Sequence, residues 1–231
     1  MYGLAASRRA RASLRIAADV SARQSEGVTA HPPAGPPLPS ARRLASPSDE
    51  SSRGSRESGR VLPPRWTDLA LPPYAFIPGH SPHPYRAPEG HSWGRPPPVA
   101  EPLEPEFWRT DRAWLSGVDL WNAGYFWEAH EFWESAWNAR GRTGRQAAFL
   151  QAMIQAAAAE VKAKAGAPGA ARALWLRAAA ALEPFARDAE GHFMGLDVCA
   201  FCVAAAGRFP DLAADLPVAT PSDALIRLGS S

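Results

Sequence analysis

The sequence predicts an all-α protein, a small antiparallel bundle of about five helices preceded by an arginine-rich tail and a proline-rich extended segment. Three observations predict it. After Glu104 apolar residues recur near the 3.6-residue period. Gly124, Gly141, Gly144, Gly166, Pro168 and Pro184 punctuate that pattern at short intervals, which makes neighbouring helices antiparallel. The longest run, 145–164, is dominated by Ala, Leu, Met and Gln, all strong helix formers.

The first element, residues 1–60, holds ten Arg against five acids and is dense in Ser, Pro and Gly. Such a stretch cannot bury enough apolar surface to offset chain entropy, so it is expected to be disordered and dispensable. From Val61 onward the balance is fifteen basic to eighteen acidic residues, so the net charge of +2 comes from the tail and no nucleic-acid partner is expected. Lys162 and Lys164 are the only lysines and Ala is abundant, the composition of a GC-rich coding sequence. Upstream start codons are easily miscalled there, and the tail is a candidate for such a miscall. Ser7-Arg8-Arg9 suggests a twin-arginine signal, but Arg15 and Asp19 break the stretch that should be apolar, so export is not expected. No window reaches the roughly 18 continuous apolar residues of a membrane span, because Gln151, Gln155 and Arg177 interrupt the best candidates. Two Cys in so long a chain fit a reducing, cytoplasmic compartment, and no cofactor is expected.

The second element, 61–105, is extended, since each of its prolines removes a donor and disfavours helix in the residue before it. Its Trp66, Leu69, Leu71, Tyr74, Phe76, Ile77, Tyr85 and Trp93 give it apolar content that a detached linker lacks. It is expected to lie on the helical domain, 106–231, as a strap. There a first helix with Phe107, Leu115, Val118 and Trp121 on one face should stop at Gly124. A second should cover 125–138 and a third 145–164. A fourth should start at Pro168, place Leu174, Ala178, Ala181, Leu182 and Phe185 on one face, and end at Pro184. A short fifth should begin with Asp197 as its cap and end at Gly207.

The second helix reads Glu128-Ala129-His130-Glu131-Phe132-Trp133-Glu134-Ser135-Ala136-Trp137. On a helical wheel Phe126, Ala129, Trp133 and Trp137 form its apolar face, His130 sits inside the edge with Glu134 one step out, and Glu128 and Glu131 point away. The third helix is apolar nearly all round, broken by one polar stripe of Gln151, Gln155 and Lys162. Two helices thus offer polar groups to each other. His130, Glu134, Gln151 and Gln155, with Glu131, Trp137 and Asn122 nearby, are expected to form a polar network or pocket.

These residues also resemble a known family. Asn122-Ala123-Gly124-Tyr125-Phe126 with Glu128-Ala129-His130-Glu131, Trp133-Glu134 and Trp137, then Phe149-Leu150-Gln151 and Ile154-Gln155-Ala156-Ala157, resemble the bacterial family catalogued as domain of unknown function 309. Upstream, Pro78-Gly79-His80-Ser81-Pro82-His83-Pro84 and Gly90-His91-Ser92 look like a proline-rich preface found in some members. The likeness covers roughly 71–182. Ala152 stands where the family usually has Gly, and Ala167 where it favours Asn. The resemblance implies a small all-helical fold and no established activity.

His130-Glu131-x-x-Glu134 is one residue type from the zincin H-E-x-x-H, and a metal there would need a third ligand from His83 or His91. Repeated Glu-x-x-His pairs, as a di-iron bundle needs, are absent. Cys199 and Cys202, spaced C-x-x-C without a preceding strand, read as two small core residues. Arg140, Arg142 and Arg145 read as a solvated loop that favours the end of the second helix. Two classes of function remain: a non-catalytic binding or interaction module, which is favoured, and a small hydrolase, with or without a metal, using His130 as ligand or base with Glu131 or Glu134. Whether the domain is an enzyme, which partner it meets and whether it forms a homo-oligomer stay open at this stage.

Overall fold

Side-chain caps and glycine turns set the element boundaries in the computed structural model, which describes residues 64–188, 191–208 and 225–229. The expected disorder of 1–60 lies outside the described residues. Helices are α1 (Arg112–Asn122), α2 (Phe126–Ala139), α3 (Gly144–Lys164), α4 (Pro168–Arg187) and α5 (Val198–Ala206). The all-α class and the five-helix order are as the sequence predicts.

The expected first helix begins later than its periodicity suggests. Pro105–Phe107 make a single 3-10 turn, and Asp111 then caps α1 by accepting the Trp114 amide at 2.9 Å, satisfying one of the donors a helix start leaves open. Phe107 is consequently exposed, and Trp108 is buried in its place. Gly124, at φ +86°, turns the chain from α1 into α2. Pro184 does not end the fourth helix, which runs three residues further to Arg187. The missing proline N–H costs one hydrogen bond in the last turn, while Phe185 and Ala186 beyond it are buried in the core.

A hairpin that periodicity did not show links α4 to α5. β1 (His192–Phe193) and β2 (Leu196–Asp197) pair antiparallel across Met194-Gly195, both at positive φ, as a tight two-residue turn requires. Gly195 also lies flat on Trp108, where a Cβ would stand 2.5 Å from the ring. Asp197 caps α5 by accepting the Ala200 amide at 2.9 Å, as expected.

Sequential helices pack on one another, with α3 between α2 and α4, so the nearly all-apolar helix is the central one. Its Phe149 meets Trp114, Phe185 and Phe193, and Trp114 and Trp121 both meet Trp133. Gly117 permits that stack, since a Cβ on it would lie 2.1 Å from the Trp133 Nε1, which donates to the Trp114 carbonyl at 3.2 Å. Cys202 is buried on α5 and Cys199 is half-buried, neither in a disulfide. Burial pushes the Cys202 thiol well up, which leaves it inert. Among the described residues no helix is long and apolar enough to cross a membrane.

Candidate functional site

The chain before α1 is too rich in proline for a regular ladder, so its backbone bonds to itself only in local turns, and side chains of α1 and α2 hold it at other points. Asp119, buried on α1, accepts the Trp66 and Thr67 amides at 2.9 and 2.8 Å and the Thr67 hydroxyl at 2.7 Å. Tyr125, at the head of α2, donates its hydroxyl to the Pro72 carbonyl at 2.9 Å. Glu128, in the first turn of α2, accepts the Phe76 amide at 2.9 Å. Trp93, by contrast, stays 53% exposed.

The segment then turns back on itself. The Tyr74 hydroxyl donates to the Pro82 carbonyl at 2.9 Å and accepts the His91 amide at 3.1 Å. Gly90 presses on the preceding turn, where a Cβ would meet the His83 carbonyl oxygen at 2.3 Å. These contacts place His91 Nε2 3.0 Å from Glu128 Oε1, with both side chains only 5% exposed. His91 Nδ1 lies 2.9 Å from Ser92 Oγ. A carboxylate only accepts, so in a neutral ring Nε2 is the nitrogen that donates to Glu128 and Nδ1 is the one left to accept the Ser92 hydroxyl. Burial, together with the Glu131 and Glu128 charges, raises the Tyr85 phenol above its ordinary value against the lowering effect of Ser92.

A cavity of about 450 Å³ opens between this segment and the helices. Leu69, Leu71, Pro72, Leu120, Trp127 and Phe132 make its apolar wall, and Tyr85, His91, Ser92, Arg95, Glu128 and Glu131 its polar one. The second carboxylate oxygen of Glu128, Oε2, is buried and has no hydrogen-bond partner among the described residues.

The expectation that Glu128 points away from the protein is therefore corrected. The wheel of α2 does turn it from the α3 side, but the proline-rich segment covers that side and buries it. Glu131 is half-buried on the same wall. Nor do the other expected site residues make one network. Gln151 is exposed, and among the described residues no hydrogen bond joins His130, Glu134, Gln151 and Gln155. Among the described residues His130 Nδ1, Trp137 Nε1 and Gln155 Oε1 are each buried without a hydrogen-bond partner, although His130 Nδ1 lies 3.3 Å from Glu131 Oε1. Asn122 faces another element, where its amide donates to the Ile226 carbonyl at 2.9 Å and accepts the Ile226 amide at 2.7 Å.

The metal candidates also separate. His83 accepts the Tyr85 amide at 3.2 Å and packs on Phe76 and Trp127, and His91 is held by Glu128. The grouping among the described residues that could hold an ion is His130, Glu131 and Glu134, whose ligand atoms lie within 4.8 Å of one another. The loop arginines all have neighbours: Arg140 is bidentate on Glu104 at 3.0 and 2.9 Å, Arg142 lies over Trp137 and Arg145 pairs with Asp188.

Sequence reasoning missed Ser92, Tyr85, Arg95 and Asp119, and weighed His91 only as a metal ligand. One signal was available. Gly90-His91-Ser92-Trp93-Gly94 has the G-x-S-x-G spacing of a nucleophile elbow, although here it forms successive turns instead of joining a strand to a helix.

No curated protein and no solved structure matches the chain. A family model does match residues 114–174, from α1 through α2 and α3 into the start of α4. That family is described as Domain of unknown function (DUF309), and the matched stretch holds Glu128 and His130.

Proposed function

We propose that the domain is a small-molecule-binding module whose site is the cavity between the proline-rich segment and α1 and α2. The observation that supports it most is Glu128. An unpaired buried carboxylate oxygen costs at least about 1–3 kcal/mol, and the residue that carries this one lines a cavity. A ligand with a hydrogen-bond-donating head, such as an ammonium, and a compact apolar body would satisfy Oε2 and cover Trp127 and Phe132. The test is thermal unfolding of the protein with benzylammonium and with benzyl alcohol as the neutral counterpart. Benzylammonium should raise the midpoint in a saturable way, benzyl alcohol should not, and Glu128→Gln should remove the difference. Equal effects of the two probes would reject the reading.

The metal-assisted hydrolase has one supporting observation, the approach of His130, Glu131 and Glu134 on one helix, with His130 Nδ1 3.3 Å from Glu131 Oε1. Titration of the protein with zinc, read by calorimetry, tests it: one site lost in His130→Ala supports this reading, and heat unchanged by that substitution rejects it.

A further inference from the structure

From the geometry we infer that Ser92 is a nucleophile activated by His91, and that the cavity cleaves small carboxylic esters with an apolar acyl group. The inference rests on the reading of the cavity as a small-molecule site and adds chemistry to it. Ser92 and His91 both line the cavity, and Ser92 is half-buried. The ring is fixed from both sides: Glu128 accepts from Nε2 at 3.0 Å, and Ser92 donates to Nδ1 at 2.9 Å. That is the logic of a serine, histidine and carboxylate triad with the two ring nitrogens exchanged. Tyr74 packs edge-on to the ring at 4.8 Å and binds the His91 amide, so rotation of the imidazole is opposed.

In the acylation step a bond forms from Ser92 Oγ to the ester carbonyl carbon, and the hydroxyl proton passes to His91 Nδ1. The bond from that carbon to the alkoxy oxygen then breaks, and the alcohol leaves with the proton from Nδ1. Water, activated by the same nitrogen, attacks the acyl-serine, releases the acid and restores Ser92. Arg95, on the same wall, offers guanidinium donors to the carbonyl oxygen as it takes up charge. Ser92 and His91 are catalytic residues in this scheme, and Glu128 is a positioning residue that selects the ring tautomer.

Diisopropyl fluorophosphate tests the nucleophile on the full chain. Its phosphorus forms a bond to Oγ and fluoride leaves, so intact mass should rise by one diisopropylphosphoryl group, mapped by peptide mass spectrometry to Ser92. Ser92→Ala should not be labelled, and His91→Gln, which keeps a polar side chain but cannot take the proton, should be labelled about 100-fold more slowly or less. Ring-nitrogen NMR should show the Nε2–H tautomer of His91 in the wild type and a mixture in Glu128→Gln. A folded wild-type chain that stays unlabelled, labelling at another residue or an Nδ1–H tautomer overturns the proposal. Because wild-type labelling is itself decisive, a Ser92→Ala chain that failed to fold would not protect the idea. Failure here with the benzylammonium response intact removes the nucleophile alone. Loss of both removes the site.

Discussion

His91 Nε2 and Glu128 Oε1 meet at 3.0 Å although 37 residues separate them in the chain. The same oxygen accepts the Phe76 amide, so one side chain of α2 holds two points of the proline-rich segment. Glu128→Ala should strand both donors in a buried place and destabilise the protein by about 3 kcal/mol. Urea unfolding measures this. A loss under about 1 kcal/mol would show that Glu128 does not anchor the segment.

Gly117→Ala is a sharper packing test, because two effects oppose each other. Alanine favours a helix over glycine by about 1 kcal/mol, but its Cβ would collide with the buried Trp133 indole, and overpacking costs about 1–3 kcal/mol. The collision should win because Trp133 also packs on Trp114 and Trp121 and cannot retreat alone. The expected outcome is a lower unfolding midpoint with weakened near-ultraviolet aromatic signals.

His130→Ala should change stability by no more than about 1 kcal/mol, since His130 Nδ1 makes no hydrogen bond and its 3.3 Å approach to Glu131 is partly exposed to solvent. A larger loss in urea unfolding would revive the polar network between α2 and α3 that the sequence suggested.

That reversal shows what one sequence can and cannot display. The helices were legible because each carries its own signal: apolar period, capping Asp197, and Gly124 and Gly166 at the turns. The extra three residues of α4 were not, because Pro184 is overridden by the burial of Phe185 and Ala186, a tertiary effect. The site was less legible still. A wheel drawn for α2 alone knows only the α3 side, and puts Glu128 outside. Its partners Phe76 and His91 come from a segment with no period at all. Asn122 likewise finds Ile226, 104 residues away, which no local pattern announces.

Acid should stabilise one end of α1. Asp111 has its carboxyl raised by burial, against the lowering effect of the Trp114 and Ala113 amides. With the folded value above the unfolded one, the folded state holds a proton that the unfolded state has released. Stability from this group therefore grows as pH falls from above the folded value to below the unfolded one. Asp111→Asn keeps a capping oxygen but cannot titrate, so its stability curve should lose that rise. An unchanged curve in Asp111→Asn would assign the rise elsewhere.

The claim that the cavity beside Glu128 is the functional site is tested most directly by crystallography of the protein soaked with benzylammonium. Density is expected in the cavity with the ammonium within about 3 Å of Glu128 Oε2, as a charge-assisted hydrogen bond requires. Density found only outside the cavity, or a cavity that stays empty at saturating benzylammonium, would contradict it.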